Sequence, residues 1–195
     1  MTVQQRRERD RAKRQELIVR TARELAEAEG WDAVTTRRLS ERIEYSQPVL
    51  YSHFANKDAI VAAVAEQGFV ELAEALAVAR RKEVERYGLL RAVADAYLGF
   101  AEANPALYDA MFTLDSGLRF AQPDSPAPLR EGFGQLVATF EALVEDPAEI
   151  GAFTEVAWAA LHGLATLTRA GRLSDGNHAA RVDLFVRLLQ SETAP

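Results

Sequence analysis

The 195-residue chain has no cysteine. Disulfides and thiolate chemistry are thereby excluded. Only three histidines occur, at 53, 162 and 178, and they are too dispersed to suggest a zinc cluster. No metal and no other cofactor is expected. No run reaches the roughly 18 apolar residues of a membrane span. The opening MTVQQRRERDRAKRQ is charged, and no apolar leader segment follows it, so a cytoplasmic protein is expected. No carboxylate pair, nucleophile–base set or phosphate loop stands at a useful spacing, so an enzyme is not expected. Alternating β-branched segments of useful length are missing too, which leaves little to build a sheet.

What is present is apolar content of 48%, enough for a real core, and an uneven charge. The net charge is −6, yet residues 1–60 sum to +2 and the remainder to −8. Residues 1–14 alone carry +4. Such asymmetry points to a local contact with a polyanion more than the whole-chain value does. Taken by itself, the Arg-rich terminus reads as a solvated, disordered arm over about 1–12.

Apolar residues recur at helical steps: Ile18, Ala22 and Leu25, then Ile60, Val64 and Leu72. Gly30 stops the first helix. Thr35 or Thr36 caps a second, running to about Ile43. Ser46 is placed to cap a third, with Pro48 in its first turn, where a missing N–H costs nothing. Asn56-Lys57-Asp58 launches a long helix to about Glu85. Further helices are expected near 88–103, 105–113, 127–145, 147–170 and 177–191, with a loop over LDSGLRFAQPDSPAP. The fold class is all-α: a three-helix domain over 1–56, followed by a helical bundle over 57–195.

The stretch TTRRLSERIEYSQPVLYSHFANKD, Thr35 to Asp58, holds two short helices joined by a tight turn. Packed on a preceding helix, such a pair makes a helix-turn-helix. Leu39, Ile43, Leu50 and Phe54 would supply its core together with Ile18 and Leu25. The face left over carries Arg37, Arg38, Gln47, Val49, Tyr51, Ser52 and His53. Gln pairs bidentately with adenine, Arg with guanine, and Val touches a thymine methyl. Tyr, Ser, His and Lys suit phosphate oxygens, as do the backbone donors at the helix starts near Thr35 and Ser46.

From about Glu16 through Ala63 these residues resemble the TetR family of transcriptional repressors. The specific pieces are TTRRL, QPVLY, and Leu50-Tyr51-x-x-Phe54-x-x-Lys57 at fixed distance from Gly30 and Leu39. The resemblance implies base contacts by Arg37, Gln47, Pro48 and Val49. It implies phosphate contacts by Thr36, Tyr51, His53 and Lys57, with Thr35, Ser46 and Ser52 beside them. One departure stands out: the family usually has Gly in the turn, where this sequence has Glu44. A non-Gly residue with positive φ is unfavourable.

Trp158-x-x-x-His162-Gly163 resembles the WHG-type effector domain behind some TetR-family DNA-binding domains. His162 reads equally as a buried histidine bonded to a neighbouring helix or sited at a subunit contact. Dimerisation is expected through the last two helices, using Phe153, Ala157, Leu161, Leu164, Val182, Phe185 and Leu189. The same stripes also suit intrachain core. The resemblance implies a small-molecule effector in the bundle, with Tyr97, Tyr108, Met111, Phe112, Phe133 and Trp158 as lining, though an aromatic stripe is commonly plain core. The expected function is a dimeric, ligand-responsive repressor on a palindromic operator of double-stranded DNA. An all-α enzyme and a helical adaptor for protein partners are the competing classes.

Overall fold

The structure, a computed structural model, describes residues 2–83 and 85–191. Nine α-helices are found among them and no strand. They are α1 (Val3–Glu29), α2 (Thr36–Ile43), α3 (Gln47–Tyr51), α4 (Lys57–Lys82), α5 (Arg86–Ala103), α6 (Pro105–Phe112), α7 (Ala127–Phe140), α8 (Ile150–Arg169) and α9 (His178–Ser191). The all-α expectation stands. Three single-turn 3₁₀ segments, Trp31–Ala33, Glu141–Leu143 and Asp175–Asn177, were not foreseen.

The chain forms two compact units, one of residues 1–68 with 104–126, the other of 69–103 with 127–195. This division differs from the boundary expected after residue 56. Residues 57–68 of α4 and all of α6 build onto the N-terminal helices. The reason lies in the apolar pattern: Ile60, Val61, Val64 and Ala65 bury against the first unit's core, as do Leu107, Tyr108 and Met111.

In the first unit α1 packs on α2 and α6, and α2 on α3. Ile18, Ala22, Leu25, Leu39, Leu50 and Val34 are almost fully buried. The tie to α6 is polar. One oxygen of the Glu27 carboxylate accepts from the Ala106 N–H at 3.0 Å and the other from the Leu107 N–H at 2.9 Å. Those are orphan donors at the start of α6, so an α1 side chain caps a helix far away in sequence. The Trp31 indole donates to the Ala106 carbonyl at 2.7 Å, and Arg23 to Asn104 Oδ1 at 2.9 Å. Gly68 lets α4 lie close to α6. A Cβ there would stand 2.6 Å from Met111 Sδ and 3.0 Å from Leu107 Cγ.

The expected arm over 1–12 is instead the first three turns of α1 from Val3. Thr2 and Gln5 form a reciprocal capping box: Thr2 Oγ1 accepts from the Gln5 N–H, and Gln5 Oε1 from the Thr2 N–H. Gln4 bonds Glu8 one turn on. The residues are straight-chain helix formers, so charge without apolar pattern does not here mean absence of structure.

In the second unit α5 packs on α7, α8 and α9, and α7 on α8. Arg91 and Tyr87 of α5 meet Asp183 of α9. Arg80 reaches Gln135 Oε1 and the Ala138 carbonyl on α7. The Trp158 indole donates to Tyr97 Oη at 2.9 Å, and Phe133 meets Trp158 edge to face. Helix α8 alone among the described helices is long and apolar enough to cross a membrane, with a mean hydropathy of 1.2 over its best window; 22% of that window is buried. Its apolar residues are interrupted by Thr154, Glu155, His162 and Thr166, so it holds no unbroken apolar run of that length.

Candidate nucleic-acid interface

The interface is built on α2, α3 and the turn between them. Thr35 caps α2, its Oγ1 accepting from the Arg38 N–H at 3.2 Å. At the other end Glu44 adopts φ 57° and ψ 34°. Its N–H and that of Tyr45 both return to the Ser40 carbonyl. The turn therefore keeps the left-handed conformation that glycine usually supplies, with glutamate bearing the strain. Glu44 is exposed, so its carboxylate stays in solvent.

Helix α3 is short and one-sided. Leu50 is fully buried and Phe54 nearly so, while Gln47, Pro48, Val49, Tyr51 and Ser52 are exposed. Pro48 sits in the first turn, where its ring fits. Ser46 occupies the N-cap position, and its carbonyl accepts from Val49 and Leu50. Its hydroxyl makes no cap bond, contrary to expectation, because backbone bonding alone orders this turn.

Of the predicted residues, Thr36 and Tyr51 are brought together. Tyr51 Oη lies 3.5 Å from Thr36 Oγ1, linking the two helices by their outer groups. Arg37 is 80% exposed at its side chain and pairs with Glu41 one turn on. That pair engages the Arg37 Nε. Arg38 acts differently: its guanidinium donates to both oxygens of Glu29, at 2.9 and 2.8 Å, and pins α2 to α1. Glu29 is held below the usual carboxylate range chiefly by that hydrogen bond. Lys57 Nζ donates to the Trp31 carbonyl at 2.6 Å, so one of its three N–H groups already has a structural use. Ser52 Oγ donates back to the Val49 carbonyl at 2.6 Å.

His53 is half-buried, and its Nδ1 has no partner among the described residues. Burial, then the charges of Arg11 and Arg14, push its pKa below 6.5. Those arginines mark what the sequence reading missed. Arg11 Nη2 lies 3.5 Å from the Ser52 carbonyl, bringing the basic stretch of α1 beside the end of α3. The signal was available: residues 7, 11, 14 and 18 share one helix face, and Ile18 is core.

The other expected sites fare less well. Ala157, Leu161, Val182 and Phe185 are buried within the second unit. Phe153 packs edge-on against Phe140, and Leu164 and Leu189 are half-buried. The large exposed apolar side chains described on these helices are Val156, Leu167, Leu184 and Leu188. The six residues expected around an effector divide between the units. Tyr108, Met111 and Phe112 lie in the first, with Tyr108 and Phe112 in ring contact; Tyr97, Phe133 and Trp158 lie in the second. His162 is half-buried beside Trp158, and burial, then the Arg169 charge, lowers its pKa.

Comparison with known proteins agrees with this geometry. Residues 18–64 match the family model described as bacterial regulatory proteins, tetR family. Residues 90–191, more than half of the chain, match that of the Tetracyclin repressor-like C-terminal domain. That description does not extend to the narrower WHG type. The chain is 51% identical over 51 residues to the tetracycline repressor protein class C of Escherichia coli, covering 26% of this chain and 23% of that one. It is 35% identical over 98 residues to an HTH-type transcriptional regulator, YobS, of Bacillus subtilis, covering 49% of this chain and 50% of that one. It thus spans half or less of these curated relatives. Among solved structures, a Rhodococcus sp. RHA1 protein of unknown function aligns with a TM-score of 0.76 at 24% identity, over 93% of this chain and 95% of the other. A TetR of Acinetobacter baumannii AYE, solved in complex with minocycline, aligns with a TM-score of 0.61 at 21% identity, over 90% and 92%. Helix-turn-helix geometry, an outward-facing α3 and both family matches lead to one assignment: the chain belongs to the TetR family of DNA-binding transcriptional regulators.

Proposed function

We propose that the chain is a cytoplasmic, ligand-responsive repressor that binds a palindromic operator as a homodimer. The observation that carries this reading is α3, which buries Leu50 and exposes Gln47, Pro48, Val49 and Tyr51. A helix of five residues gains little by exposing such side chains unless they have a partner. In this reading Arg37, Gln47, Pro48 and Val49 meet base edges. Thr35, Thr36, Ser46, Tyr51, Ser52, His53 and Lys57 meet phosphate oxygens and set the register.

Two copies are needed to give such a small reader its affinity, with recognition helices roughly 34–36 Å apart. The supporting surface is the outer face of α8 and α9. Val156 is 71% exposed, Leu188 57%, Leu184 49% and Leu167 46%. Covering that face with its copy would remove these four apolar side chains from water. An effector favouring a state with a different reader spacing would shift the population off DNA.

The test is binding of the full chain to an inverted repeat taken from the DNA beside its coding sequence, read by fluorescence anisotropy. Gln47→Ala is expected to cost about 1–3 kcal/mol at one base pair of each half-site and to relax specificity there. Equal loss on all duplexes, or no loss, would overturn the base-reading role. An adaptor that binds only protein would show no operator binding at all.

A further inference from the structure

The second unit contains a cavity of about 480 Å³ between α5, α8 and α9, lined by none of the six residues expected around an effector. Ligand pockets for small molecules fall in the same size class. Its inner wall is apolar, with Leu98, Ala101 and Ala165 all buried. Its polar lining comes from Thr168, Arg169 and Arg181, joined by His178 and Glu102. The permanently charged lining groups are the guanidiniums of Arg169 and Arg181 and the carboxylate of Glu102.

Arg181 is held in place on one side only. Its Nη1 donates to the Ser174 carbonyl at 2.8 Å. Its Nη2 is buried and has no acceptor among the described residues. Nη2 is closed off from the cavity until the side chain shifts, but leaving its N–H without an acceptor is costly, and an anionic oxygen in the cavity would favour that shift. A dianionic phosphate would demand more donors than one spare guanidinium edge and a hydroxyl supply. A carboxylate matches them, and the apolar wall calls for a hydrocarbon body behind it. We propose that this cavity binds an organic monocarboxylate with an apolar chain, its carboxylate on Arg181 with Arg169 and Thr168 beside it, and that this ligand is the effector. Only the word effector rests on the repressor reading; binding does not.

The probe is decanoate, titrated into the full chain by calorimetry, with 1-decanol and decylamine as controls. Saturable binding of one decanoate per protomer is expected, weakened roughly tenfold or more by Arg181→Gln, with neither control binding comparably. Ala165→Leu, which narrows the apolar wall and leaves both arginines, is expected to weaken binding also. Should Arg181→Gln fail to fold by its thermal transition, Arg169→Gln takes its place with the same expectation. No saturation, equal binding of decanol, or unchanged affinity in the variants would overturn the site. Operator anisotropy separates the two readings. Decanoate binding without operator release overturns the effector role alone, and failure to bind any operator overturns the repressor reading while the calorimetry still decides the cavity.

Discussion

Glu44 shows how a single side chain carries a cost for the turn that aims α3. An L-residue held in the left-handed region is strained by roughly 1–2 kcal/mol, part of which glycine would return to unfolded-chain entropy. Glu44→Gly should therefore stabilise the chain by about 0.5–1 kcal/mol, seen as a higher urea midpoint with unchanged slope. His53 gives a pH signature. Its folded pKa lies below 6.5, so the folded state holds it neutral more strongly than the unfolded chain does. The stability this contributes is complete above the unfolded value and is lost as pH falls through the folded one. His53→Gln should flatten the decline in thermal midpoint between neutral and mildly acidic pH. A His53 resonance titrating above 6.5 in the free chain would contradict this reading.

At the scale of elements, two features of the first unit can be broken separately. Glu27 supplies both acceptors for the start of α6. Glu27→Ala should cost about 1–2 kcal/mol, the range for a lost N-terminal cap, and should speed proteolysis in the loop after Phe112. Glu27→Gln, which keeps one acceptor, should lose less. Gly68→Ala should also destabilise, because overpacking costs about 1–3 kcal/mol against a helix-propensity gain near 1. Met111→Ala should rescue it in a double-mutant cycle, since Met111 Sδ is the nearest atom to the new methyl.

How far these elements were legible follows the local signals. Gly30, Thr35 and Pro48 mark boundaries by backbone chemistry: α1 ends before Gly30, α2 starts after Thr35, and α3 holds Pro48 in its first turn. The start of α1 was hidden because a helix with no buried face has no apolar period to read, although Thr2 and Gln5 spell out a capping box. The proposed subunit face was hidden for the opposite reason. Helix α8 is apolar on most sides, so periodicity selects Ala157 and Leu161 without saying whether core or partner covers them. Only the fold separates that buried stripe from Val156 and Leu167.

At the scale of the molecule, charge and assembly are the testable properties. A chain of net charge −6 approaches a polyanion through a locally positive segment, Arg6 to Arg14 on α1. Arg7→Ala with Arg14→Ala should lower the salt dependence of operator binding across all sequences. Val156→Asp is expected to give monomers by analytical ultracentrifugation with an unchanged thermal midpoint of the isolated subunit, and to abolish tight operator binding. A dimer that survives both Val156→Asp and Leu188→Glu would place the subunit contact elsewhere.

Residues 104–126 complete the first unit although the chain leaves that unit at residue 68 and returns only after α5. During synthesis the DNA reader therefore has to wait. A nascent chain released at residue 68 has α1 to α3 but lacks the donors that Glu27 receives and the carbonyl that Trp31 bonds. Its head should remain protease-sensitive on the ribosome until about Pro126 has cleared the exit tunnel, and no N-terminal fragment that stops before residue 104 should reproduce the stability of the first unit.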